Sequence, residues 1–218
     1  QRTFSVIAWD LDNTLFDRDA AFASFFDSWL KVPAFRRGGL LQEIRAADCS
    51  GDGDRLAFCA KVLDYCGLPS SGAAALWEEI QRTIPAFIRL DARVAALLEQ
   101  LAPHFKMAIV TNGGGMFQRA KLRHAGLEQW FPPETVFVSG ELGVAKPDRA
   151  IFEALLRSTG VRPRSALMIG DHPINDIQGA AALGMQTCWV SLGRTPPNNL
   201  HADFIIDRVW DFPMPFHA

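Results

Sequence analysis

The chain has 218 residues, 49% of them hydrophobic and 21% charged, which excludes a disordered polyelectrolyte and leaves enough apolar side chain for a sizeable core. Lysine and arginine number 22 against 24 aspartates and glutamates with no basic block, which argues against a nucleic-acid surface, and no apolar run nears the ~20 residues of a membrane span. The four cysteines form no C-x-x-C pair and no basic, apolar leader opens the chain, so the expectation is a cytoplasmic protein with free thiols and with neither nucleic acid nor membrane as partner.

In chain order, Phe4–Trp9 is a short apolar run closed by Asp10, the pattern of a buried strand. From Asp17 the period changes. Phe22, Phe25, Phe26, Trp29 and Leu30 recur at helical spacing, and similar stripes follow at Leu56, Cys59, Leu63 and Cys66 and at Trp77, Ile80, Ile84, Phe87 and Ile88. Residues 18–89 therefore read as helix throughout, broken at Pro33, Gly38-Gly39, 50–53 and 70–72. Beyond residue 90 the pattern alternates: helix 91–102, strand 106–111, helix 116–125, strand 135–139, helix 148–159, strand 166–170, helix 175–183, then strands 187–190 and 204–206. Such alternation predicts an α/β fold, a doubly wound parallel sheet with helices on both faces, into which the all-helical block is inserted.

In doubly wound sheets ligands bind beyond the carboxyl ends of the strands, and four predicted strand ends carry polar residues. The first runs Asp10-Leu-Asp12-Asn-Thr14; the second is Thr111-Asn112, followed by Gly113-Gly-Gly115. The third leads into a loop reaching Lys146-Pro147-Asp148, and the fourth is Gly170-Asp171-His172, continuing to Asp176. Side chains at i and i+2 of a strand share a face some 6–7 Å apart. Asp10 and Asp12 would then enter one pocket, one carboxylate attacking while the other handles a proton. Asp171 and Asp176 would bring two more carboxylates to the same edge. Like charges about 4 Å apart repel by roughly 4 kcal/mol at an effective dielectric near 20, so the cluster calls for cations. Lys146 supplies one charge and a divalent ion would supply two, and hard oxygen ligands favour magnesium over zinc. Thr111, Asn112 and the glycines after them, at the start of a helix, read as a phosphate cradle. Gln118 stands where a dinucleotide fingerprint needs its third glycine, and no nucleoside-triphosphate, zinc-peptidase or serine-hydrolase motif occurs. Taken singly, Asp10 and Asp12 could be turn residues and Asp171 a helix cap; the four strand ends together converge on one site.

The four motifs in this order resemble those of the haloacid dehalogenase superfamily, whose helical-cap subclass carries its cap between the first and second motifs. The resemblance implies a Rossmann-like core of residues 1–17 and 90–218 with a helical cap at 18–89. It implies Asp10 as the nucleophile that becomes an aspartyl phosphate, and Asp12 as the acid for the leaving oxygen and then the base for water. Thr111, Asn112 and Lys146 would hold the phosphoryl group. Magnesium would sit on Asp10, the backbone carbonyl of Asp12, and Asp171, with Asp176 close by as a ligand through water or a partner of Lys146, which would also offset the charge on Asp10. Relatives that cleave carbon–halogen bonds lack an acid at the position of Asp12, so the implied reaction is hydrolysis of a small phosphorylated metabolite. The alternatives are a phosphate-binding protein without turnover and a 2-haloacid dehalogenase. Lys31, Lys61, His172, Arg36, Arg37 and Arg45 read as solvated charges.

Overall fold

The computed structural model describes residues 4–32, 34–51 and 53–213; the breaks expected from the sequence at Pro33 and at Asp52, and the residues beyond Pro213, lie outside the described residues. Six strands form one sheet: β1 (Val6–Trp9), β2 (Lys106–Thr111), β3 (Val136–Val138), β4 (Ala166–Gly170), β5 (Gln186–Val190) and β6 (Phe204–Ile206). Every neighbouring pair is parallel and the order is β3-β2-β1-β4-β5-β6. β1 and β4 read as unbroken apolar runs because a central parallel strand is covered on both faces, and every residue of both is buried.

Register places the strand ends side by side. Trp9 pairs with Ile109 of β2 and with Ile169 of β4, so the chain leaves β1, β2 and β4 within a residue or two of the same level. The strand order also reverses direction at β1, the switch point where a crevice opens in such sheets.

Helices α5 (Ala92–Leu101), α6 (Gly115–His124), α7 (Ser139–Leu142), α8 (Arg149–Thr159) and α9 (Gly179–Ala181) accompany the sheet. α8 shows why these elements form where they do. Asp148 caps its start by accepting from the Ala150 N–H, and Gly160 ends it in the left-handed conformation that glycine adopts without strain. Its Ile151, Phe152, Leu155 and Leu156 pack on Val6, Ala8, Val110 and Met168, each such burial stabilising the fold by roughly 1.5–3 kcal/mol.

The helical block contains α1 (Arg18–Trp29), α2 (Ala34–Asp48), α3 (Arg55–Tyr65) and α4 (Ala73–Thr83). Asp17 and Asp54 cap α1 and α3 through the N–H groups of Ala20 and of Leu56 and Ala57. A phenylalanine cluster fills the interior: Phe25 meets Phe26 edge-on at 4.9 Å, and Phe58 packs on both Phe22 and Phe26. The chain divides into two compact units, Gln1–Phe16 with Leu90–Ala218 and Asp17–Arg89.

Several expectations need correction. Gly38-Gly39 does not break the chain but lies inside α2, because helical geometry is open to glycine and only disfavoured by about 1 kcal/mol per residue. The buried stripe of α3 is Phe58, Cys59, Val62 and Leu63, with Leu56 half exposed. The helix foreseen at 175–183 is a wider π turn, Pro173–Gln178, running into the short α9, and Ser139, placed in a strand, starts α7. Cys49, Cys59, Cys66 and Cys188 are free thiols, and no helix among the described residues is long and apolar enough to cross a membrane.

Candidate active site

Asp10 follows β1 directly and keeps its pairing, its N–H donating to the Ile169 carbonyl of β4 at 2.8 Å. Its buried carboxylate accepts from Lys146 Nζ at 2.5 Å and from Thr14 Oγ1 at 3.2 Å. The chain then turns: Asn13 takes a left-handed φ of 60°, and the Leu15 N–H returns to the Leu11 carbonyl. Strand alternation therefore does not set Asp10 and Asp12 on one face, since β1 has ended at Trp9. The Asp12 carboxylate is held instead from α6. Lys121 Nζ reaches its two oxygens at 2.8 and 2.7 Å, and Gln118 Nε2 donates to it at 2.9 Å. Each of the two aspartates has its own lysine.

Lys146 also contacts Asp176 Oδ1 at 2.7 Å, so one buried ammonium bridges two carboxylates. Its position is set by Asn112, whose Nδ2 donates to the Lys146 carbonyl at 2.9 Å and whose Oδ1 accepts from the Lys146 N–H at 2.8 Å. Both ends of the Asn112 amide thus secure the Lys146 loop beside the expected phosphate position. Thr111 Oγ1 accepts from Gln118 Nε2 at 2.6 Å, which engages a lone pair and leaves the hydroxyl proton to donate. The glycine cradle is also narrower than the run of three implies, because the Gly113 N–H donates to Ser139 Oγ at 2.9 Å. Gly113 must be glycine on two counts: its φ is 141°, and a Cβ there would lie 2.9 Å from the Gln118 side chain.

At the end of β4 the π turn brings Asp176 back toward the strand, and its Oδ2 accepts from the His172 N–H at 2.9 Å. Gly170 has no room for a side chain, as a Cβ would collide with the Asp176 carboxylate. His172 caps the turn, its Nδ1 accepting from the N–H groups of Ile174 and Asn175. Asp171 is gripped from the loop after β5, where Arg194 donates to its carbonyl at 2.6 Å and to its carboxylate at 3.1 Å.

Burial pushes the Asp10 carboxyl up to about 7, with Lys146 pulling it back and Asp176 and Asp12 adding to the rise. Asp171 is pushed up to about 8 by burial and then by Asp10 and Asp176, which Arg194 and Lys146 only partly offset. For Lys146, burial works against the charged form, but Asp10 and Asp176 outweigh it and hold the ammonium above its usual range. The cluster is thus short of positive charge. Asp10, Asp171 and Asp176 each offer an oxygen, all within 4.8 Å of one another. A divalent cation fits this surplus, and an all-oxygen donor set suits magnesium better than zinc.

Gln118, Lys121 and Arg194 escape a reading by motif. Lys121 carries one faint signal, a lysine beside Leu122 on the buried face of an amphipathic helix.

A family model for haloacid dehalogenase-like hydrolases matches residues 4–184. The chain is similar to a phosphoserine phosphatase of Thermus thermophilus, 40% identical over 124 residues that cover 57% of this chain and 47% of that protein. It is also similar to a glyceraldehyde 3-phosphate phosphatase of Methanothermobacter thermautotrophicus, 29% identical over 205 residues and 90% of each chain. The first curated relatives, which include a pyrimidine 5'-nucleotidase of Escherichia coli, are matched over about half their length. Among solved structures, the putative HAD-hydrolase YfnB from Bacillus subtilis bound to magnesium aligns over 96% of both chains with a TM-score of 0.77 and 23% identity, a likeness of fold. With the family model spanning most of the chain and the same fold in its structural neighbours, the chain belongs to the haloacid dehalogenase-like hydrolases.

Proposed function

We propose that the protein is a magnesium-dependent phosphomonoester hydrolase acting on a small phosphorylated metabolite, with residues 1–17 and 90–218 as the catalytic core and 18–89 as the cap. The observation that carries the reading is Asp10: a buried carboxylate at a strand end, bonded to the Lys146 ammonium and adjoined by Asp171 and Asp176. Phosphatase relatives support the same class of substrate.

In the first step an Asp10 oxygen bonds to phosphorus while the bond to the leaving oxygen breaks, and Asp12 gives its proton to that oxygen. In the second, water attacks the aspartyl phosphate and passes a proton back to Asp12. The Asp10–phosphorus bond breaks, inorganic phosphate leaves and both aspartates return to their starting forms. Lys146 and the Thr111 hydroxyl hold phosphoryl oxygens through both steps, while Asn112 fixes Lys146 and Thr14 fixes Asp10. Asp10, Asp171 and the backbone carbonyl of Asp12 would hold magnesium, which supplies electrostatic stabilisation of the transferring group. Asp176 secures Lys146 from the far side.

The test is phosphate release from a panel of metabolite phosphomonoesters and p-nitrophenyl phosphate, with magnesium and with chelator. Release that needs both the metal and Asp10 is the expected result. A protein that releases halide from 2-haloacids and no phosphate from any ester would sink the proposal.

A further inference from the structure

The Asp12 carboxylate is gripped from behind by two side chains of α6 that no motif of the site includes. Lys121 Nζ lies 2.8 and 2.7 Å from its two oxygens, and the lysine side chain is 3% exposed where that of Asp12 is 22% exposed. The ammonium also lies 4.2 Å from the centre of the Phe117 ring, which covers it from the same helix. Gln118 Nε2 bridges Asp12 Oδ2 at 2.9 Å and Thr111 Oγ1 at 2.6 Å. Residues three apart on a helix share a face, and here that face reaches two functional positions at once: the acid–base aspartate and the hydroxyl that holds phosphate. Gly113 makes way for Gln118, since a Cβ there would strike it. The residue that spoils the dinucleotide fingerprint is thus the one for which the loop has been cleared.

We propose that Lys121 and Gln118 are positioning residues that set the orientation of the Asp12 carboxylate for proton delivery to the leaving oxygen, with Gln118 tying that orientation to the Thr111 hydroxyl. The inference rests on the phosphatase reading above. An unclamped aspartate at a turn samples several rotamers, and only one places its proton in line with the departing oxygen. A two-point ammonium contact with a third bond from an amide selects one of them before substrate arrives. The contribution is therefore to proton transfer more than to phosphate binding.

That distinction gives the test. A nitrophenolate leaves with little help from an acid, whereas an alkoxide depends on one. Lys121→Met, Lys121→Arg and Gln118→Met are compared with the wild type on p-nitrophenyl phosphate and on glycerol 1-phosphate, with magnesium, reading kcat and KM separately. For Lys121→Met, kcat on the alkyl ester should fall by about 10- to 100-fold with KM within about threefold, the loss on the aryl ester should be clearly smaller, and Lys121→Arg should recover part of it. Gln118→Met should show the same selectivity with a rise in KM added, because Thr111 also loses its partner. This variant strands no buried charge, so it carries the test if Lys121→Met does not fold. Equal losses on the two esters, a change confined to KM, or no change in any variant would overturn the clamp while the phosphatase reading stands. A wild-type protein that releases phosphate neither from these two esters nor from any member of the metabolite panel overturns that reading and the clamp with it.

Discussion

In the helical unit, buried Asp48 meets Arg18 and Arg55, and Arg18 also meets Asp19 and stacks on Phe22, two carboxylates for two arginines. In the α/β unit, Asp10, Asp12, Asp171 and Asp176 meet Lys121, Lys146 and Arg194. The first group has cation enough to satisfy its carboxylates and joins α1, α2 and α3. The second has four carboxylates against three bonded cations, and two of those carboxyls are pushed up toward neutrality. Both are buried ion networks of similar appearance in a contact map. What separates them is the sign left over: a balanced network is a structural joint, while a surplus of one charge held at strand ends is a place prepared for a ligand of the other.

The comparison is broken most directly at Asp10. Asp10→Asn should lower phosphate release by more than about 10³-fold while leaving thermal unfolding intact, because it removes charge from a cluster that has too much. A large loss of folding stability in this variant would mean that the cluster is structural after all. The mirror experiment is Asp48→Ala, which removes the buried carboxylate that Arg18 and Arg55 share and should cost about 3 kcal/mol in urea unfolding; a change below about 1 kcal/mol would show that the helical network contributes little.

A third test uses pH. An aspartate in the unfolded chain titrates near 3.8, whereas folded Asp10 and Asp171 titrate near 7 and 8. Across that interval the folded state binds more protons than the unfolded one, so stability must fall as pH rises. The metal-free protein should therefore lose Tm between about pH 5 and pH 8, more steeply in wild type than in Asp10→Asn, and magnesium should raise Tm most at the upper end. Equal slopes in the two proteins would contradict the charge surplus. The smallest effect is at a cap of the helical unit. Asp54→Ala removes the acceptor for the Leu56 and Ala57 N–H groups and should cost about 1 kcal/mol, with kcat per folded molecule unchanged in the phosphate-release assay.

Much of this molecule can be read from its chain, for reasons that differ by element. β1, β2 and β4 are legible because burial on both faces demands unbroken apolar runs, and the polar residue closing each run marks where the sheet surface ends. Asp10, Thr111 and Asp171 are visible on that ground alone, as is Lys146 through its place in the loop before α8. The short α7 is less legible, since four residues carry too little period to register. Gly38-Gly39 misleads because glycine signals freedom, and freedom does not preclude a helix. The Asn112 bonds to the Lys146 backbone are not legible either, as an amide bonds equally well to a phosphate or to a backbone. Lys121 and Gln118 stay hidden because a helical period reports which face is buried and says nothing of where a long side chain ends.

The sequence by itself determined the parallel sheet, the helical insertion and the meeting of several carboxylates with a lysine at one edge. These follow from local period and from the polar residues that stop each strand, and both are short-range properties of a chain. The family resemblance already implied Lys146 beside Asp10, and only the tertiary structure decided the rest: that Lys146 bridges Asp10 and Asp176, and that Lys121 serves Asp12 and Arg194 serves Asp171. Lys121 is 109 residues from Asp12, and Lys146 is 136 from Asp10. Pairing over such separations is set by the register of the strands and the packing of α6, through which side chains distant in the chain come within about 3 Å, the range where charge and hydrogen bonding act.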